Sequence, residues 1–149
     1  MKINNVVVIG SGTMGSGIAA QLCNANIPVT LLDLKTEISQ KAKERIEKSR
    51  PPLLIDKSKI DGIKVGNIND DFNIVSEADW IVEAVVERID IKHDIYEKIF
   101  KQRKKGSIVS SNTSSIPISV LSEKLTEDDK KDFCITHFFN PVRYMDLLE

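Results

Sequence analysis

Apolar positions along the chain switch between two periods, and the switching predicts the elements. Val6-Val7-Val8-Ile9 is a continuous apolar run that ends in glycines. Runs of this kind suit strands covered on both faces, as in parallel sheets flanked by helices. Met14, Ile18, Leu22 and Ala25 then recur at spacings of four, four and three, the stripe of a helix. Pro28-Val29-Thr30-Leu31-Leu32-Asp33 reads as a second strand, with proline tolerated at its first position. Residues 35–48 read as a charged, solvent-facing helix. Strand, helix and strand in this order make a βαβ unit, whose crossover should be right-handed.

The same alternation continues. Residues 49–61 open on Pro51-Pro52 and read as a loop with a short helix, and Ile63-Lys64-Val65 as a short third strand. Trp80-Ile81-Val82-Glu83-Ala84-Val85 is a stronger fourth. Ile91, Ile95 and Ile99, beside Tyr96 and Phe100, give one apolar face to a helix over residues 88–103. Residues 107–110 and 133–136 make a fifth and a sixth strand. Between them, residues 117–125 read as helical and the charged run 126–132 as a solvated loop. The expected architecture is α/β, a Rossmann-type doubly wound, mainly parallel sheet with helices on both faces.

Composition narrows the function classes. The 149 residues suit a single domain, with 41% hydrophobic and 29% charged positions arguing against disorder. A net charge of −1 offers no basic footprint for nucleic acid. The early apolar run is too short for a signal-peptide core or a membrane span. Cys23 and Cys134 have no metal-ligand spacing and read as free buried thiols in a reducing, cytoplasmic setting.

Gly10-Ser11-Gly12-Thr13-Met14-Gly15 matches GxGxxG between a buried strand and a helix, the context this motif requires. Gly10 permits a tight turn, Gly12 lets backbone approach a pyrophosphate, and Gly15 lets the helix pack close to the strand. Thr13 and Met14 open that helix, whose N-terminus presents unpaired N–H groups to phosphate. Asp33, eighteen residues past Gly15, ends the second strand where an adenosine ribose would lie. Its carboxylate can accept from ribose hydroxyls and repel a 2′-phosphate, which favours NAD over NADP. Methyltransferases, with a different glycine-rich turn, and FAD enzymes, usually with Glu at the ribose position, stay open as alternatives. His137 follows the sixth strand at the ligand-binding edge of the sheet, where a group titrating near neutrality could exchange a proton with a hydroxyl. A packed or capping histidine is the competing reading. His93 reads as a helix-surface residue.

Four blocks in order carry a resemblance: Gly10 to Gly15 with Met14, Ile81-Val82-Glu83-Ala84-Val85-Val86-Glu87-Arg88, Ser111-Asn112-Thr113-Ser114-Ser115, and His137-Phe138-Phe139-Asn140-Pro141. Together they are similar to the NAD-binding domain of L-3-hydroxyacyl-CoA dehydrogenases, over essentially the whole chain. The stretch after Asn140 most resembles the bacterial fatty-acid-oxidation branch, some of whose members carry an enoyl-CoA hydratase module. The resemblance implies an acyl-CoA substrate, NAD as cofactor and no metal. It implies His137 as the catalytic base toward the 3-hydroxyl and Glu149 as the carboxylate paired with it. It further implies Ser114 on the substrate oxygen and Asn112 beside the nicotinamide and the reacting atoms. Glu87 and Lys92 match positions near the cofactor and the CoA-bearing substrate; as bare sequence they read equally as an exposed pair at a helix start.

Leu147-Leu148-Glu149 closes the chain on an apolar run with no terminator, so a longer or split parent is expected. In the family resembled, a mostly helical second domain supplies substrate contacts and a homodimer interface. Without it, residues 1–149 are expected to bind NAD and turn over slowly or not at all, and Glu149 is expected to fray away from His137. The alternatives in function are another short-chain hydroxyacid dehydrogenase, or a non-catalytic NAD-binding protein on the same fold.

Overall fold

The computed structural model describes residues 2–149. Among these, six strands form one sheet: β1 (Val6–Ile9), β2 (Val29–Asp33), β3 (Ile63–Asn67), β4 (Trp80–Glu83), β5 (Ile108–Ser111) and β6 (Phe133–Ile135). Their spatial order is β3-β2-β1-β4-β5-β6, and every neighbouring pair is parallel. The chain steps outward from β1 to β3, then returns to place β4 on the other side of β1. The order therefore reverses between β1 and β4, which pair Val8 with Val82 and Ile9 with Glu83. A crevice forms outside the carboxyl ends of strands at such a reversal, and ligands of open α/β sheets gather there.

The central strands β1, β2 and β4 each feed two cores because successive side chains point to opposite faces. Val6, Val8, Val29, Leu31 and Val82 pack on one face with Ile18 and Leu22 of α1 (Thr13–Asn24) and Ala42 and Ile46 of α2 (Thr36–Lys48). Val7, Ile9, Leu32 and Ile81 pack on the other with Ile95, Tyr96 and Ile99 of α3 (Ile89–Gln102). Ile18 and Ile99 are fully buried, so truncating either to Ala should cost about 2–5 kcal/mol. The first helix stops at Asn26, which adopts a left-handed φ of 60°. The Asn26 N–H donates to the Cys23 carbonyl and the Ile27 N–H to that of Leu22, the paired bonds of a Schellman cap.

Several local expectations are corrected. The helix expected over 117–125 is one turn, α4 (Ile118–Leu121), while the expected loop 126–132 holds another, α5 (Glu127–Lys130). That turn forms because Thr126 Oγ1 accepts from the Asp129 N–H, and Glu127, Asp128 and Asp129 suit the positive end of a helix. β4 ends at Glu83 rather than Val85, because residues 84–87 turn away to border the crevice. His93 is 8% exposed rather than on the surface. The turn around α4 covers it, and His93 Nε2 lies 2.9 Å from the Val120 carbonyl. Cys23 is buried as expected, but Cys134 is half-buried. Among the described residues, no helix is long and apolar enough to cross a membrane.

Candidate active site

The glycine turn has two kinds of glycine. Gly10 has a φ of +101°, and a Cβ there would lie 2.5 Å from the Ala84 carbonyl oxygen. A Cβ on Gly15 would lie 1.8 Å from the Gly10 oxygen. Both are glycine because the protein's own backbone fills the space. Gly12 is different: among the described residues nothing lies within 4 Å of a Cβ built there. Its bare backbone faces a cavity of about 500 Å³ lined by Gly10, Gly12, Asp33, Leu34, Ile38 and Val85, among others. Gly12 is also the N-cap of α1, whose first turn contains no acidic residue. An open glycine at an uncontested helix N-terminus fits a diphosphate.

Side chains from two other elements fix this turn. Asp33 Oδ2 accepts from the Ser11 N–H at 2.7 Å and from Ser11 Oγ at 2.6 Å. Ser16 Oγ and Arg45 Nη2 both donate to the Ser11 carbonyl, each at 3.0 Å. Asp33 Oδ1 accepts only the Leu34 N–H, at 2.7 Å, among the described residues, so this oxygen keeps a lone pair for a ribose hydroxyl. The carboxylate thus shapes the turn as well as facing the cavity, a part that Ser11 and Arg45 share and that the motif alone does not reveal.

A second cavity of about 410 Å³ adjoins the first across Ala84, Val85 and Val86. Met14, Glu87, Asn112, Ser114, His137 and Phe139 are among the residues lining it. Thr13, in the first turn of α1, is exposed but lines neither cavity. The expected catalytic residues therefore meet in one place, although they come from separate stretches of sequence. His137 emerges from β6, and its N–H donates to the Glu149 carbonyl at 2.7 Å while the Glu149 N–H donates back at 3.2 Å. Glu149 Oε2 lies 3.3 Å from His137 Nδ1. The last residue is thus tied to His137 through backbone and side chain, contrary to the fraying expected of it. The Phe139 ring centroid lies 4.4 Å from that of His137. Asn112 Oδ1 accepts from the Phe138 N–H at 2.9 Å, which leaves its Nδ2 donor for the cavity. Ser114 is exposed on the cavity wall.

Lys92 is not an exposed partner of Glu87. It is fully buried, with Nζ 2.7 Å from Glu83 Oε1 and 3.3 Å from Glu87 Oε1. Glu83, also fully buried, accepts in addition from the Val85 N–H, from Tyr96 Oη and from Ser111 Oγ. Burial, and then the Glu83 charge, push the Tyr96 hydroxyl well above its usual range, so it remains a donor. Breaking a buried pair of this kind by removing one partner costs about 3–5 kcal/mol. The sequence assigns no polar role to Glu83, Tyr96 or Ser111. The available signal was a glutamate inside a strand otherwise apolar on both faces, since a charge in that setting demands a partner.

The family described as "3-hydroxyacyl-CoA dehydrogenase, NAD binding domain" matches residues 5–149. A "Probable 3-hydroxyacyl-CoA dehydrogenase" of Deinococcus radiodurans is 44% identical over 156 residues, covering 100% of this chain and 45% of that protein. A "Putative fatty acid oxidation complex trifunctional enzyme" of Rickettsia felis is 43% identical, covering 99% of this chain and 22% of that protein. The chain therefore spans less than half the length of these two relatives. Among solved structures, 3-hydroxybutyryl-CoA dehydrogenase from Escherichia coli superposes with a TM-score of 0.85 at 26% identity, over 99% of this chain and 32% of that one. The (S)-3-hydroxybutyryl-CoA dehydrogenase of Ralstonia eutropha gives 0.81 at 30%, over 99% and 53%. The glycine turn, the strand order and the match over nearly the whole length lead to one conclusion: this chain belongs to the NAD-binding domain family of the 3-hydroxyacyl-CoA dehydrogenases.

Proposed function

We propose that this domain carries the proton-transfer machinery of an enzyme oxidising (S)-3-hydroxyacyl-CoA to 3-oxoacyl-CoA. The observation that supports it most is the His137–Glu149 pair set beside Asn112 and Ser114, in a cavity adjoining the glycine-turn cavity. NAD, when bound, supplies the hydride acceptor. With Nδ1 facing Glu149, His137 Nε2 presents a lone pair to the cavity and takes the proton of the 3-hydroxyl. In the reverse direction it returns that proton to the substrate oxygen. Ser114 Oγ and Asn112 Nδ2 donate to the same oxygen and hold it in place. Glu149 aims the imidazole through its approach to Nδ1. Asp33 takes the adenosine ribose, and Gly12 with the first turn of α1 takes the diphosphate.

The second cavity is open on one side, so an acyl-CoA meets one wall of a cleft and water reaches the reacting atoms. In this reading, the further length of the relatives supplies the second wall. The test is NADH oxidation by the 149-residue chain with acetoacetyl-CoA, with NADH binding measured on the same sample. NADH binding with slow turnover that His137→Gln abolishes is the expected result. Turnover that survives His137→Gln would remove the assigned base, and absence of NADH binding would overturn the cofactor site.

A further inference from the structure

We infer that Glu83 is a positioning residue for the nicotinamide ring of the bound cofactor, acting through Lys92 on Glu87. The inference rests on the two adjoining cavities taking one dinucleotide, and it is independent of turnover.

Glu83 is the last residue of β4, at the point where the strand order reverses. Donors from three segments converge on its carboxylate. Val85 N–H and Lys92 Nζ reach Oε1 at 2.8 and 2.7 Å. Tyr96 Oη and Ser111 Oγ each reach Oε2 at 2.6 Å. Its carbonyl also accepts the Asn112 N–H at 2.8 Å. The segments bearing these donors are the 84–87 turn, α3 and the end of β5, which leads into the loop carrying Asn112 and Ser114.

The contacts close into a ring. Glu83 holds Lys92, and Lys92 lies 3.3 Å from Glu87 Oε1. Glu87 Oε2 accepts from Thr113 Oγ1 at 2.7 Å. The Thr113 N–H donates to Ser111 Oγ at 3.3 Å, and Ser111 Oγ returns to Glu83. Glu83, Lys92, Ser111 and Thr113 are buried, whereas the Glu87 side chain is 45% exposed and lines the cavity with His137. Packing alone would be served by an aliphatic residue at position 83, without the desolvation of two charges. A buried carboxylate bound on both oxygens instead fixes the ammonium beneath Glu87 and ties the two cavity walls at one distance. A dinucleotide crossing Ala84–Val86 brings its nicotinamide end against that rim, while its adenosine end lies over Asp33, whose hydrogen bonds go to Ser11 and Leu34 and not to members of the ring.

The test compares NADH with ADP-ribose, which keeps the diphosphate and both riboses and lacks only the nicotinamide ring, on the 149-residue chain and on Glu83→Gln, Lys92→Met and the double variant. NADH affinity should fall about tenfold in each single variant, the scale of one charged hydrogen bond. It should fall no further in the double variant, because Glu83 acts through Lys92. ADP-ribose affinity should stay within about twofold throughout, even where the stranded charge in a single variant lowers Tm. Parallel losses for both ligands, additive losses for NADH, or unchanged NADH affinity would each overturn the inference. Should Glu83→Gln fail to fold, the double variant removes both charges, and its NADH affinity must equal that of Lys92→Met. An unaltered chain that binds neither ligand would overturn the cofactor reading itself, a result distinct from any of these.

Discussion

His137 and Glu149 exchange both backbone hydrogen bonds and also approach through their side chains, with Nδ1 3.3 Å from Oε2. The backbone pair holds the two residues together whatever the side chains do. Glu149→Gln should therefore leave the fold and NADH affinity unchanged while lowering the rate of acetoacetyl-CoA reduction. A loss of about 100-fold is expected, within the contribution of general acid–base catalysis. Steady-state rates at saturating NADH check it, and an unchanged rate would remove Glu149 from the proton-transfer machinery.

The two kinds of glycine in the turn should respond differently to one added methyl group. Gly12→Ala meets empty space in the free protein, so Tm should move little, while NADH binding weakens by about tenfold or more as the Cβ meets the diphosphate. Gly15→Ala drives a Cβ to 1.8 Å from the Gly10 oxygen, so the βα turn must shift and the protein should be markedly destabilised. Thermal melts and fluorescence titrations with NADH distinguish the pair. Equal behaviour of the two variants would contradict the assignment of open and filled positions.

Asp33 faces the adenosine cavity with one carboxylate oxygen while the other is tied to Ser11. A 2′-phosphate would meet this carboxylate at close range, and like charges in contact cost several kcal/mol. NADH should bind roughly 100-fold more tightly than NADPH, on the same electrostatic ground. Asp33→Asn is expected to narrow that preference and to loosen the turn, visible as a lower Tm. Equal binding of the two cofactors by the unaltered chain would count against the ribose assignment.

Asp79 joins the N-terminal segment to the turn that follows α3. The Lys104 ammonium hydrogen-bonds it, the Asn4 and Asn5 N–H groups add to this, and its carboxyl is held down to about 2. An Asp in the unfolded chain titrates near 3.9. A folded-state value below the unfolded one stabilises the protein above about pH 4, and that contribution disappears as the pH falls toward 2. The gap in urea midpoint between the parent chain and Asp79→Asn should therefore be constant at neutral pH and shrink between roughly pH 4 and 2. A gap independent of pH over that range would show that the pairing does not contribute in this way.

Asn26 occupies the left-handed position of the cap of α1 with a φ of 60°. Glycine adopts this conformation without the Cβ penalty, so Asn26→Gly should stabilise the domain by up to about 1 kcal/mol and raise Tm by a few degrees. A fall in Tm would show that the Asn26 side chain contributes more to the cap than its backbone conformation costs.

The buried strands and the cofactor turn were legible in the sequence because each rests on local chemistry. A strand buried on both faces must be apolar at every position, as Val6 to Ile9 are, and a βα turn in close backbone contact must carry glycine at Gly10 and Gly15. His93 was misread because its burial depends on α4, a single turn with no helical period to betray it, packing from 27 residues away. Glu149 was expected to fray because distance from the chain end is a sequence property, whereas the backbone pair with His137 is a tertiary one. The role of Glu83 was invisible for the same reason, since its donors Lys92, Tyr96 and Ser111 stand 9, 13 and 28 residues along the chain. Sequence periodicity determines which residues are withdrawn from water; only the fold decides which polar groups meet once there, because hydrogen bonds and ion pairs act over a few ångströms of space whatever the separation along the chain.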